Sequence, residues 1–478
     1  MKKIAPKTLK WLAKPPVDYT PIQTSMMPLP IYSGLNNGTP AVQLTEGQLS
    51  SVVNLTPSEL PSLRTINSDI EIGYTGTVQD VRSIFVIDPA THILVLAGTT
   101  LYKWNGTAFS TIATGFGSSS YVQLAPMSGK YYLVDGATEV REYNPSTSTL
   151  GSVISGSPDN CDFIVAHRNR LFAAEGKNLN ISNILLPDDW TTVDMTDIIV
   201  IEGTYGEDIS GLAVIADHLV IAKERSISEL WGFTPGADGD MEVIEISTSY
   251  GCMSPMSLQV IDGTMYCLSH MGIVSYGGGV APYIISDPAV QEYINTLNLT
   301  VKDKFTSCTD GRFYYLSVAT GSSTTNNAVI VYDTRTKTFW SQDITYTAMA
   351  NHKDRIFVGK ADGKLYEKDY TALHGSLAWS FEKPVKIQDF MNRVTLQRVE
   401  LIYEVLHADA ELVVSIRPDI SSGDYTILKT ITDQTTDTAI ARIPADFSKV
   451  YDKEWGMLKV SGTGSCIVHA VNLTMRAR

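Results

Sequence analysis

Across residues 217–232, DHLVIAKERSISELWG, a dense apolar run gives way to a charged turn and then to an alternating run. His218-Leu219-Val220-Ile221-Ala222 reads as a strand buried on both faces, and Ile227-Ser228-Glu229-Leu230-Trp231 as a strand with one solvated face. Lys223-Glu224-Arg225 reverses the chain between them, and Gly232 closes the unit. Glu224 and Arg225 read as solvated or subunit-facing groups rather than catalytic ones. A lone hairpin of this kind is marginal in water, but the pattern recurs. Dense runs lie at 93–96, 131–134, 171–174, 219–222, 265–268, 313–316 and 356–359. Alternating runs follow at 101–104, 140–143, 179–182, 227–230, 273–276, 329–332 and 365–368. Polar turns such as Asp262-Gly263-Thr264 and Asp310-Gly311-Arg312 precede the dense runs. Asn105-Gly106, Asn144-Pro145, Gly277-Gly278 and Asp333-Thr334 end the alternating ones, with residue types that turns favour.

Successive dense runs start about 38 to 48 residues apart, roughly one four-stranded blade of a β-propeller. The expected fold is all-β: a β-propeller of seven blades, with six as the alternative. The dense run fits a blade's inner strands, and the alternating run fits a strand further out and half exposed. Further strands flank the hairpins, for example at 163–166 and 241–246. The seventh unit stops without a clear fourth strand, and an unclosed propeller keeps bare strand edges. A strand within 63–72 is positioned to supply the missing edge. Three regions follow: an N-terminal arm and propeller-closing segment (1–80), the propeller (81–379) and a C-terminal β-sandwich (380–478). The last has expected strands at 395–403, 411–417, 426–431, 438–443, 457–460 and 467–475.

Composition supports this picture. Only 18% of residues are charged, while Tyr (23) and Gly (35) are prominent, a balance that suits strands and turns. The net charge of −14 argues against a sequence-scanning nucleic-acid binder, which needs a basic face. It is compatible with a wall past which DNA slides. Five cysteines, Cys161, Cys252, Cys267, Cys308 and Cys466, are odd in number and lack metal-ligand spacing. They are expected to be small buried residues rather than a disulfide framework or a zinc site. No apolar run nears the ~20 residues of a membrane span. The first residues carry Lys2, Lys3, Lys7, Lys10 and Lys14 with no acid before Asp18. They lack the continuous apolar stretch of a secretory signal. Two readings stand: a solvated arm, or a basic arm that docks on another, acidic subunit. The proline-rich segment 21–80 is expected to wrap the main body.

Chemistry is sparse. There is no phosphate-binding glycine loop, no HExxH and no Gly-x-Ser-x-Gly. His167, His218 and His352 sit in or beside the turns before three dense runs, which a functional reading would gather into a ring at one face. The plainer reading is that turns tolerate His. Asp188, Asp189, Glu202, Glu207, Asp208, Asp238 and Asp240 are candidates for a glycosidase pair, or simply solvated loop charge. Residues 186–208 read as the longest excursion between blades, aromatic and acidic, and suited to a contact loop. No catalytic, cofactor-binding or metal site is expected, and no enzymatic activity.

Four stretches carry a resemblance. The first is Ser33-Gly34-Leu35-Asn36, followed by 44–48, Asn54 and Leu63-Arg64. The second is 217–232. The third is Tyr250-Gly251-Cys252-Met253-Ser254-Pro255 with the hairpin to Gly277. The fourth is 328–340, AVIVYDTRTKTFW, in which a strand ends in Tyr-Asp and a Trp follows. In these the chain resembles the β-propeller virion proteins of short-tailed bacteriophages, of the tail nozzle or tail-tube type. The C-terminal module has counterparts in that group; the Lys-rich arm does not. The resemblance implies a virion component assembled in the host cytoplasm: a homo-oligomeric ring, commonly a hexamer, below the portal and adaptor and beside other tail proteins. Its lumen would pass DNA at ejection, and acidic walls would keep phosphates from sticking. The alternatives are a glycan-binding or glycan-cleaving propeller and an intracellular scaffold propeller.

Overall fold

In every repeat the hairpin is extended by one strand on each side, because neither of its two edges can be left bare. The computed structural model of the chain describes residues 24–57, 60–118, 121–191, 198–201, 206–235, 239–279, 281–369, 371, 373, 375–389, 394–407, 410–432, 438–445 and 454–477. Seven four-stranded antiparallel sheets follow one another. Their first strands are Val81–Asp88, Gln123–Met127, Phe163–His167, Ile209–Ile215, Gln259–Ile261, Thr306–Thr309 and Ala348–His352. These pack around a common axis, with Ala348–His352 beside Val81–Asp88 to complete the circle. The fold is a seven-bladed β-propeller, numbered here as blades 1 to 7 in chain order.

The recurring hairpin is the middle pair of each blade, not its inner half. In blade 4 it is His218–Lys223 and Ile227–Trp231, between an inner strand, Ile209–Ile215, and an outer one, Glu242–Ser247. The alternating strands are also more buried than their pattern predicts. Of Ile227–Trp231 only Trp231 is exposed, and Gly272–Tyr276 and Ala328–Asp333 are buried throughout. Adjacent blades cover both faces of a middle strand, so its polar residues must find partners inside. Glu229 does so by accepting the Tyr276 hydroxyl at 2.5 Å and the Trp231 indole N–H at 3.0 Å.

The stretch 63–72 divides. Leu63–Thr65 joins the C-terminal module, and Asp69–Tyr74 becomes the outer strand of blade 7 by pairing with Lys364–Lys368. Asp69 anchors that closure: its carboxylate accepts the Tyr346 hydroxyl at 2.9 and 3.1 Å and pairs with Lys360 at 2.9 Å. At the same seam Gly359 lies where any Cβ would strike Val81 of blade 1.

The C-terminal β-sandwich has a five-stranded and a seven-stranded sheet. Four of its strands come from the N-terminal segment: Thr24–Leu29, Ser51–Val53, Leu55–Pro57 and Leu63–Thr65. This segment straps the sandwich to the outer strand of blade 6, Thr338–Gln342. Leu35 N–H donates to Phe339 O at 2.7 Å, and Asn54 N–H donates to Ser341 O at 2.9 Å. Asn54 adopts a left-handed φ of 58°. Its side chain accepts Asp343 N–H at 3.0 Å and donates to the Asp343 carboxylate and to Ala378 O. Gly34, with φ of 78°, crosses so close that a Cβ would fall 2.8 Å from Phe339 O. One apolar core runs through the joint, from Tyr314 and Trp340 in blade 6, through Leu35, Leu49, Val52 and Leu55, to Trp379 and Phe381.

Candidate functional site

The blade axis is the first place to look, since every blade contributes to it. Ser83, Leu124, Phe163, Leu212, Gln259, Ser307 and Met349, one from each first strand, enclose a cavity of about 200 Å³. A neighbouring space of about 300 Å³ is bounded by Phe85, Tyr131 and Asn351. Arg82, also on the wall, donates to Gly98 O and Gly117 O, and other polar groups there are engaged between blades. Gln259 Nε2 donates to Ser307 O at 3.0 Å, Ser307 Oγ to Met256 O at 2.7 Å, and Val122 N–H to Ser83 Oγ at 3.1 Å. These bonds stitch neighbours together and leave no converging pair of titratable groups.

The residues singled out in the sequence do not gather into a centre. His167 is buried, and burial with the adjacent Arg168 pushes its imidazole below the ordinary value. His218 stacks on Trp231 at 3.8 Å. His352 lies across the ring in blade 7, so the three histidines do not meet. The stretch 186–208 is not a link between blades. It holds the connection from the third to the fourth strand of blade 3, then that fourth strand, Ile198–Val200, and only then the link to blade 4. Asp188 and Asp189 therefore lie at one face of the propeller, and Glu207 and Asp208 at the other. Asp189 caps Thr191 N–H, Glu207 accepts Arg225 N–H at 2.9 Å, and Asp240 accepts Phe233 and Thr234 N–H at 2.8 and 2.7 Å. Those backbone bonds hold the Asp240 carboxyl below its ordinary range. Glu202 and Asp238 lie outside the described residues. In the blade 4 turn, Glu224 pairs with Lys302 at 2.8 Å, while Lys223 is 2% exposed and donates to Ile201 O. All five cysteines are buried and free. Among the described residues no group of three or more His, Cys, Asp or Glu is placed to hold a metal.

What sequence reasoning missed is a surface. Connections from third to fourth strands emerge at one face of the propeller, beside the turns between first and second strands. On blades 3 and 4 they expose Ile184, Leu185, Leu186, Trp231 and Phe233, with Leu185 and Phe233 about 60% open (61% and 60%). These side chains are held, not loose. Leu185 N–H donates to Asn169 O at 2.8 Å, and Trp190 is buried beneath with its indole on Pro187 O at 3.0 Å. The Arg168 guanidinium lies 3.8 Å over the Phe233 ring and pairs with Asp217 at 2.9 Å. The segments 183–191 and 231–247 hold six carboxylates and no Lys or Arg. The signal available in the sequence was the Ile184-Leu185-Leu186 triplet set among Asn, Pro and Asp, a triplet that a turn would ordinarily not carry.

The resembling stretches have a place too. Ser33 to Asn36, Asn54, Leu63 and the 328–340 hairpin lie in the joint between strap, blade 6 and sandwich, 217–232 is the middle of blade 4, and the stretch from Tyr250 to Gly277 enters and forms the first three strands of blade 5. No protein-family model matches the chain, and no curated protein does. Among solved structures it is similar to the computationally designed Ika8 protein, at 12% identity and a TM-score of 0.39, over 63% of this chain and 99% of that one. It is also similar to YCF48 bound to the D1 peptide, at 11% identity and a TM-score of 0.43, over 66% of this chain and 99% of that one. The propeller assignment rests on sheet order and on the convergence of seven first strands, not on these likenesses.

Proposed function

We propose that the chain is a structural virion protein of a phage tail, one subunit of a nozzle or hub ring whose lumen passes the genome at ejection. The observation that carries this reading is the joint. Two of the four stretches that resemble the nozzle proteins, the one that opens at Ser33 and 328–340, fall where strap, blade 6 and sandwich share one core, and the other two lie in blades 4 and 5. A tail component transmits load between neighbours, and a shared core with strands exchanged between modules resists that load as one body. A propeller that binds glycans or hydrolyses them would instead concentrate polar groups in a cleft, and Ser83, Gln259 and Ser307 of the axial wall are engaged by neighbouring blades and Arg82 by backbone carbonyls. DNA does not run along the blade axis on this reading. A duplex whose major groove alone is ~12 Å wide does not fit a cavity of about 200 Å³. The lumen is the space enclosed by several subunits, with the portal or adaptor and other tail proteins as neighbours.

Sedimentation equilibrium with negative-stain electron microscopy of the purified protein tests this. Closed rings, six-membered by resemblance, are expected. A protein that stays monomeric alone and with its tail neighbours would overturn it.

A further inference from the structure

The exposed apolar face on blades 3 and 4 has a rim of one sign. Asp188, Asp217, Asp240 and Glu242 are exposed around Ile184, Leu185, Leu186 and Phe233, while Arg168 is engaged by Asp217 and by Phe233 and Arg170 is buried and donates to Ser182 O. Such a surface takes a basic segment that also carries apolar side chains. The chain contains one. Residues 1–17 hold Lys2, Lys3, Lys7, Lys10 and Lys14, with Ile4, Leu9, Trp11 and Leu12 between them and no acid. Removing these five lysines from the count leaves the remainder at 32 Lys and Arg against 51 Asp and Glu, a balance of −19. The charge asymmetry is thus built into a single chain.

Placement selects the copy. The arm leads into Thr24–Leu29, which pairs along Cys466–Ala477 in the sandwich, and the sandwich is welded to blade 6. Blade 3 lies across the seven-blade circle from blade 6. The arm's attachment point at Thr24 and the apolar face therefore lie on different flanks, an arrangement that suits a head-to-tail interface, which closes into a ring when its rotation closes. At ~3.3 Å per residue the 23 residues before Thr24 span up to ~75 Å, enough to bridge to an adjoining subunit. We infer that the basic N-terminal arm of one copy docks on the acid-rimmed face of blades 3 and 4 of the next copy. This deepens the ring reading and rests on it for closure only.

Zero-length carbodiimide coupling, which joins lysine amines to carboxylates, is applied to a mixture of ¹⁵N-labelled and unlabelled full-length protein, with sedimentation run on the same samples. The expected result is mixed-isotope crosslinks from Lys2, Lys3, Lys7, Lys10 or Lys14 to Asp188, Asp240 or Glu242. Leu185→Asp combined with Phe233→Ser changes only exposed side chains. It is expected to remove those crosslinks and weaken self-association at least tenfold, with an unchanged melting temperature. Single-isotope crosslinks alone would place the arm on its own body and overturn the inference. Rings without arm-to-face crosslinks would overturn it and leave the ring reading standing. A monomer at every concentration would overturn both.

Discussion

At the end of the third strand of blade 6, the Asp333 carboxylate takes two bonds from the Arg312 guanidinium, at 2.5 and 3.1 Å, and the Arg335 N–H at 2.9 Å. Asp333 is fully buried, while the Arg312 side chain is about a third exposed (35%). Burial pushes the carboxyl up, but the bonds from Arg312, Thr336 and Arg335 outweigh it and hold it below 3.8. With a lower folded than unfolded value, its stabilisation is complete above the ordinary carboxylate range and fades as pH falls through the folded value. Asp333→Asn is expected to cost about 2–3 kcal/mol at pH 7, because it leaves a half-buried guanidinium without its partner. Urea titration checks this, and the difference from wild type should shrink below pH 4. An equal cost at pH 3 and pH 7 would assign the effect to packing. Lys383 is lowered as well, at the basic end of the pH scale and for a different reason. Burial pushes its amine from 10.5 to about 8, against a smaller upward pull from Glu46, while its Nζ donates to Gln48 O of the strap at 2.9 Å. The folded state then binds fewer protons than the unfolded state between about pH 8 and 10.5, so wild-type stability gains on a Lys383→Met variant as pH rises through that window. A flat difference between the two proteins from pH 7.5 to 10.5 would show that the amine keeps its ordinary value.

Among elements, the strand that closes the ring is the most consequential, because it fixes both ends of the propeller at once. Gly73 of Asp69–Tyr74 lies against blade 1, where a Cβ would meet the Trp104 ring at 2.7 Å. Gly73→Val should force that strand off blade 1 at a cost of about 1–3 kcal/mol. Faster proteolytic cleavage near 66–80, with the sandwich left intact, is the expected readout. Cleavage at the wild-type rate would mean that the seam is held elsewhere. The elements differ in how much of them the sequence discloses, and the difference has a physical cause. Middle hairpins are legible because both strands are buried by neighbouring blades and joined by short turns, with Asn105 and Asp333 capping the turn that follows. Their polar members mislead: Glu229 looks solvent-facing in an alternating run and is buried against Tyr276. Inner and outer strands are fainter. Gln259–Ile261 has three residues and Tyr283–Ile284 two, and the outer strand Thr149–Val153 is mostly exposed. The strap is fainter still, since Ser51 pairs with Glu382 and Thr24 with Arg476, and no local pattern encodes a partner that far along the chain. The candidate carboxylates failed to converge for the same reason. Their loops are neighbours in sequence, yet Asp188 and Glu207 serve opposite faces of the propeller.

For the whole molecule, charge is the property that the proposed role constrains most directly. A body at −19 without its first 17 residues offers phosphates no net attraction, and the five arm lysines form a run of positive charge with no acid among them, the expected place for DNA to bind electrostatically. Each neutralised phosphate contributes about −0.9 to the slope of log K against log salt. Any duplex retention at low salt should therefore have a slope no steeper than about −4.5 and disappear near physiological ionic strength. Reversing all five arm lysines to Glu in the full-length chain should abolish it. Filter binding over a salt series measures all three quantities. A steeper slope, or retention that survives the charge reversal, would require a basic stripe on the folded body. DNA would then be gripped by the lumen wall, and a channel that grips its cargo would slow the ejection the ring is proposed to serve. A slope within the arm's limit has the opposite consequence. On the proposed docking, the arm lysines that could hold phosphate are the ones the next subunit covers, so assembly of the proposed ring would take them out of the path of the genome.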